Sequence, residues 1–195
     1  MKDFLVVDFE FTQYDRRKGS QRPMGFFSEI IEIGAVKIDG GTLETVGRIA
    51  HFVKPRYSVQ HSKEILRFCM ISEKDMAGAV EFEDMLDEIR ALYVPGRVYF
   101  AAWGDADYSV LDEGCRRRDI GNPVRAEDYL DMSDWYKWEM GDPNHTSLRN
   151  ALEEQCVDAG AVAHAAIHDA VNTGKLLVQL IRDGWDPEEF LAPQE

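Results

Sequence analysis

The sequence predicts an α/β fold in which a mixed five-stranded sheet is flanked by helices. Three observations lead there. Runs of β-branched and aromatic residues crowd the first 55 positions, apolar spacing turns helical after residue 62, and short strands then alternate with helices. The 195 residues suit one hydrophobic core, and no linker-like or low-complexity segment interrupts them, so 1–195 is read as a single domain.

FLVVDFEF (Phe4 to Phe11) reads as a buried strand whose end turns acidic at Asp8 and Glu10. Thr12 to Gly25 is polar, with Gly19, Pro23 and four basic residues, and reads as a loop. Strands over Glu29 to Ile38 and Thr45 to Pro55, joined by the Asp39-Gly40-Gly41 turn, complete a three-stranded meander. Helices are expected over Ser62 to Phe68 and Glu81 to Tyr93, the latter with Phe82, Met85, Leu86, Ile89 and Leu92 on one face. Gly96 to Ala102 is a short apolar strand. Asp105 to Arg118 follows as a helix ending in Arg116-Arg117-Arg118, the charge its C-terminal dipole favours. A fifth strand is expected over Ala126 to Asp131. Thr146 or Ser147 then caps a helix through Gln155, and a long helix runs from Ala163 to Arg182, ended by Asp183-Gly184.

Composition narrows the function classes. With 22 Lys+Arg against 36 Asp+Glu the net charge is −14, which disfavours a protein that coats duplex nucleic acid. An enzyme that handles one strand end stays open. No apolar run reaches the roughly 18–20 residues of a membrane span, and the acids inside the first apolar stretch argue against a secretory signal. Cys69, Cys115 and Cys156 lie far apart without metal-ligand spacing, so a cytoplasmic chain with no membrane association is expected.

Three segments carry candidate chemistry. Asp8 and Glu10, one residue apart on a strand, project to one face with Cα atoms roughly 6.6 Å apart. Carboxylates this close repel unless a cation sits between them, and a pair of divalent ions roughly 3.5–4 Å apart fits the span. Alternatively the strand merely surfaces there. In WGDADYSVL, Asp105 and Asp107 stand where a strand gives way to a helix, a position suited to ligands or to helix capping. In HAAIHDAVNTGKLL, His164 precedes Asp169 by five residues, about 140° around a helix. The two meet only if His164 lies on the loop before the helix; a solvated surface pair is the alternative.

Taken together, a DxE strand, an Asp after the fourth strand and H-x4-D at the last long helix resemble the DEDDh group of DnaQ-like 3′→5′ exonucleases, which have the RNase H-like fold. EIIEIGAVKID, SLRNALEEQC and HAAIHDAVNT are similar to that family's second strand and C-terminal helices, and the likeness covers Phe4 to Leu180. DFEFTQ, RPMGFFSEIIEIG and WGDAD resemble its KapD-like and Eri-type branch, which includes RNA-trimming nucleases. Position 165 is Ala rather than Tyr, which separates the chain from the Tyr-containing subgroup. The resemblance implies that Asp8, Glu10, Asp107 and Asp169 hold two Mg²⁺ or Mn²⁺ ions. It implies that His164 is the general base, and it selects Asp107 over Asp105. Ala106 stands where that branch often has an aromatic, which leaves the base pocket more open.

The expected reaction is hydrolysis of the terminal phosphodiester at the 3′ end of single-stranded RNA or DNA, with RNA favoured. Phe11 is placed to pack on the terminal nucleotide or into the core, and Thr12 to offer a hydroxyl or backbone contact. Arg16, Arg17, Lys18 and Arg22 give the segment from Tyr14 to Gly25 a charge of +3, a candidate for phosphate steering. Arg125 to Asp142 carries −4 around Trp135, Tyr136 and Trp138, aromatics better suited to the core or to a homodimer interface than to base stacking. The alternatives are a DNA-directed or oligoribonucleotide-trimming enzyme, or a catalytically silent interaction module of the same fold.

Overall fold

The computed structural model describes residues 1–13, 25–57, 66, 71–160 and 165–192. Its strands are β1 (Asp3–Phe11), β2 (Ile30–Ile38), β3 (Thr45–Phe52), β4 (Val98–Ala102) and β5 (Tyr129–Asp131). They form one mixed sheet in the order β3-β2-β1-β4-β5. β1, β2 and β3 pair antiparallel, whereas β4 and β5 run parallel to β1. The helices are α1 (Glu73–Ala77), α2 (Phe82–Leu92), α3 (Ala106–Arg117), α4 (Met132–Met140), α5 (Leu148–Glu154), α6 (Ala166–Arg182) and α7 (Pro187–Leu191).

The period of two along β1 divides the core between the faces of the sheet. Leu5, Val7 and Phe9 meet Met85, Leu86 and Ile89 of α2 and Val110 and Leu111 of α3. Phe4 and Val6 meet Leu176, Leu177 and Leu180 of α6 on the other face, together with Trp135 and Tyr136 of α4. Asp8 and Glu10 continue the Phe4–Val6 row, so their acidic charge emerges on the α6 face. α6 lies close to the sheet because Gly174 has no side chain: a Cβ there would come within 3.2 Å of Val36 and Ile38.

The predicted mixed sheet and its five strands are present, with modest shifts at their ends. β5 is shorter than expected because a 3₁₀ turn, Ala126–Asp128, precedes it. Asp128 holds that turn by accepting hydrogen bonds from the Tyr93 hydroxyl (2.7 Å) and the Gly96 amide (2.8 Å). Sequence periodicity missed α1, α4 and α7. The first and last are five residues each, too short for a periodic signal, and are fixed instead by the Ser72–Asp75 capping box and by Asp186 with Pro187. α4 hid behind its charge, although its stop signals were present: Asp131 caps its start and Gly141, at φ 64°, ends it. Trp135 and Tyr136 are core residues; Trp138 is exposed. Ser147, not Thr146, caps α5. Most of the expected Ser62–Phe68 helix, the loop bearing Arg16 to Arg22, and residues 161–164 fall outside the described residues. No described helix is long and apolar enough to cross a membrane.

Candidate active site

The carboxyl ends of the parallel strands β1 and β4 lie at the same edge of the sheet, where ligands of α/β proteins commonly bind. β1 supplies Asp8 and Glu10 from its last residues. β4 ends at Ala102, Gly104 turns the chain at φ 100°, and α3 begins with Asp107 in its first turn. The pairing of β1 with β4 stops at Val6, and the Asp107 side chain takes up a β1 amide beyond it: the Phe9 N–H donates to Asp107 Oδ1 at 2.7 Å. Asp107 is thereby buried and held beside the DxE pair. Asp105, two residues earlier, is exposed and makes no capping hydrogen bond, so the geometry favours Asp107 of the two.

Asp169 arrives from the other side, in the first turn of α6. Carboxylate oxygens of Asp8, Glu10 and Asp169 all lie within 4.8 Å of one another. Such a set of hard oxygen donors fits a divalent cation. Its electrostatics point the same way. Burial, then the charges of Asp107, Asp169, Glu10 and Glu32, holds the Asp8 carboxyl well above the usual carboxylate range. Burial also lifts Asp107 to about 7, against the opposing hydrogen bond from Phe9. Negative charge gathered around the buried Asp8 and Asp107 carboxyls makes a site that a cation would stabilise.

The other predicted residues fare differently. Phe11 packs at the margin of the core and lines a cleft of about 330 Å³ with Phe26, Phe27 and Ala106. Thr12 is fully buried: its amide donates to the Glu29 carbonyl (2.8 Å) and its hydroxyl accepts from the Glu29 amide (2.9 Å). Those groups brace the end of β1. Glu29 is itself fixed by a buried ion pair with Arg118 at 2.8 Å, and it accepts from the amides of Arg56 and Tyr57. His164 falls outside the described residues. Ala165, the residue before α6, is extended, and the helix begins at Ala166.

Glu32 was not singled out in the sequence, yet it belongs to this neighbourhood. It stands directly opposite Glu10 in the β1–β2 ladder and is buried. Burial and the charge of Glu10 push it up to about 7, against the opposing influence of the nearby Ala166 backbone N–H. The signal was an acid set among apolar residues near the start of a strand, at a position that faces Glu10 in the ladder.

Comparisons with known proteins agree with this geometry. The family model described as exonuclease (RNase_T) matches residues 5–177. A Bacillus subtilis protein named probable 3′-5′ exonuclease KapD is 33% identical over 180 residues, covering 92% of this chain and 84% of that one. Mouse ERI1 exoribonuclease 2 is 26% identical over 203 residues, which cover 92% of this chain and 28% of the mouse protein. The nuclease domain of 3′hExo, described as a DEDDh family member bound to rAMP, superposes with a TM-score of 0.80 at 22% identity, covering 94% of this chain and 93% of that one. The chain belongs to the exonuclease (RNase_T) family and is a 3′–5′ exonuclease acting on nucleic acid.

Proposed function

We propose that the substrate is the 3′ end of single-stranded RNA and that Asp8, Glu10, Asp107 and Asp169 hold two Mg²⁺ or Mn²⁺ ions. The observation that carries this reading is the convergence of three carboxylates within 4.8 Å, with Asp107 pinned to the same strand. When bound, the ions supply charge neutralisation and Lewis acidity at the scissile phosphate. Glu10 and Asp8 project from a strand braced on both sides, so their geometry changes little on loading. Asp107 keeps one oxygen on the Phe9 amide, which leaves the other as its candidate metal ligand. His164 is the residue to take the proton of the attacking water, a role for which an imidazole is the usual side chain.

Phe11 and the cleft beside it receive the terminal base, and Thr12 serves by holding Phe11 in place. Ala106, exposed at the start of α3, leaves the cleft open, which suits a nuclease that accepts any terminal base. The preference for RNA draws on the exoribonuclease named among the relatives and on the rAMP in the neighbouring structure. The chain incubated with equal amounts of 5′-labelled RNA and DNA of one sequence, in Mg²⁺ and in Mn²⁺, should shorten RNA at least about tenfold faster. Equal or faster shortening of DNA would overturn the preference.

A further inference from the structure

We propose that Glu32 and Gly34 of β2 form a seat for the start of α6 and thereby position Asp169 against Asp8 and Glu10. The inference rests on the metal-holding role of those carboxylates. Register places both residues: Glu32 is opposite Glu10 and Gly34 is opposite Asp8. Gly34 makes the approach possible. A Cβ at this position would lie 2.1 Å from Ala166 C and Ile167 N and 2.3 Å from Ala166 O. These are backbone atoms, so no side-chain rotation could relieve the overlap.

Glu32 supplies what the helix lacks. Ala165, the residue at the N-cap, offers no side-chain acceptor, and the first helical amides need one. The backbone N–H of Ala166 lies near the buried Glu32 carboxyl, which is thus placed to cap the helix from a neighbouring strand. Asp169 follows within one turn, and its amide and that of His168 both donate to the Ala165 carbonyl. A shift of this turn therefore moves Asp169 with it. Glu32 acts through Asp169, not on the substrate, and is a positioning residue.

The test compares Glu32→Gln with Glu32→Ala. Glutamine keeps an oxygen that can accept the Ala166 amide; alanine does not. Steady-state shortening of 5′-labelled single-stranded RNA should show kcat falling about 10–100-fold in Glu32→Ala, with KM for the strand little changed, and most of kcat retained in Glu32→Gln. Half-saturation by Mn²⁺, followed by the EPR signal of the free ion, should weaken in Glu32→Ala and not in Glu32→Gln. Hydrogen exchange at the Ala166–Asp169 amides, measured on the metal-free chains, should speed up in Glu32→Ala alone. Equal damage in both variants would overturn the proposal by making the charge of Glu32 the functional feature, and unchanged kinetics in Glu32→Ala would overturn it as well. A wild-type chain that binds no Mn²⁺ would fail the metal reading instead, and the exchange comparison would still decide whether Glu32 caps α6.

Discussion

At the residue scale the site is a stability liability that catalysis uses. Asp107 and Glu32 are each pushed up to about 7, and Asp8 is raised as well, chiefly by burial. A carboxyl group raised in the folded state binds more protons folded than unfolded between about pH 4 and the raised value. Its stabilising contribution is thus present in full below about pH 4 and is lost as pH rises through about 7. The chain in EDTA should accordingly melt at a lower temperature at pH 8 than at pH 5.5, and Mg²⁺ or Mn²⁺ should recover much of the difference at pH 8. Scanning fluorimetry checks both, and a melting temperature in EDTA that rises over this range would contradict the account. Asp107→Asn should raise the metal-free melting temperature at pH 8 while lowering activity at least about a hundredfold, the trade expected where a site is built from strained charges. The shared face of Asp8 and Glu10 was legible because strand parity encodes it, whereas Asp169 was singled out only by the family resemblance. Glu32 was not legible, since its place beside them depends on the register of β2 on β1, which no local pattern states.

At the element scale, each acid is held by a different kind of support. β1 is braced by Thr12 and Glu29, α3 by its hydrogen bond to the Phe9 amide, and α6 by the glycines that let it approach the sheet. The brace on β1 depends on a buried charge pair. Arg118 bonds Glu29 at 2.8 Å and lies over the rings of Phe82 (4.3 Å) and Tyr57 (5.5 Å). Arg118→Ala would leave Glu29 buried without that partner, and should cost about 3–5 kcal/mol in urea denaturation. A loss under about 1 kcal/mol would show that the pair is replaceable. Neither partner stood out in the sequence: Arg118 read as one of three basic residues at a helix end, and Glu29 as the start of a strand. Long periodic elements such as α2 and α6 were readable, whereas α1, α4 and α7 depend on caps and on burial of Trp135 and Tyr136 against distant residues.

At the scale of the whole molecule, the proposed function reconciles a net charge of −14 with a nucleic-acid substrate by giving four of the 36 acids to cations at the strand end. The remaining excess predicts a weak grip on polymer beyond the strand end. Affinity for a single strand, measured by anisotropy in Ca²⁺, should fall with salt at a logarithmic slope between about −2 and −3, as for three or four phosphates contacted. A slope near −7 would indicate an extended basic track. The central claim is that the carboxylates at the ends of β1, α3 and α6 form the catalytic centre, with Asp107 as a member and Asp105 as a bystander. The direct measurement is the 3′-shortening ladder of a 5′-labelled single strand in Mg²⁺ or Mn²⁺, run for wild type, Asp107→Asn and Asp105→Asn and repeated with EDTA. The account predicts a ladder for wild type and Asp105→Asn, none for Asp107→Asn and none in EDTA; a ladder that survives EDTA, or that survives Asp107→Asn undiminished, would contradict it.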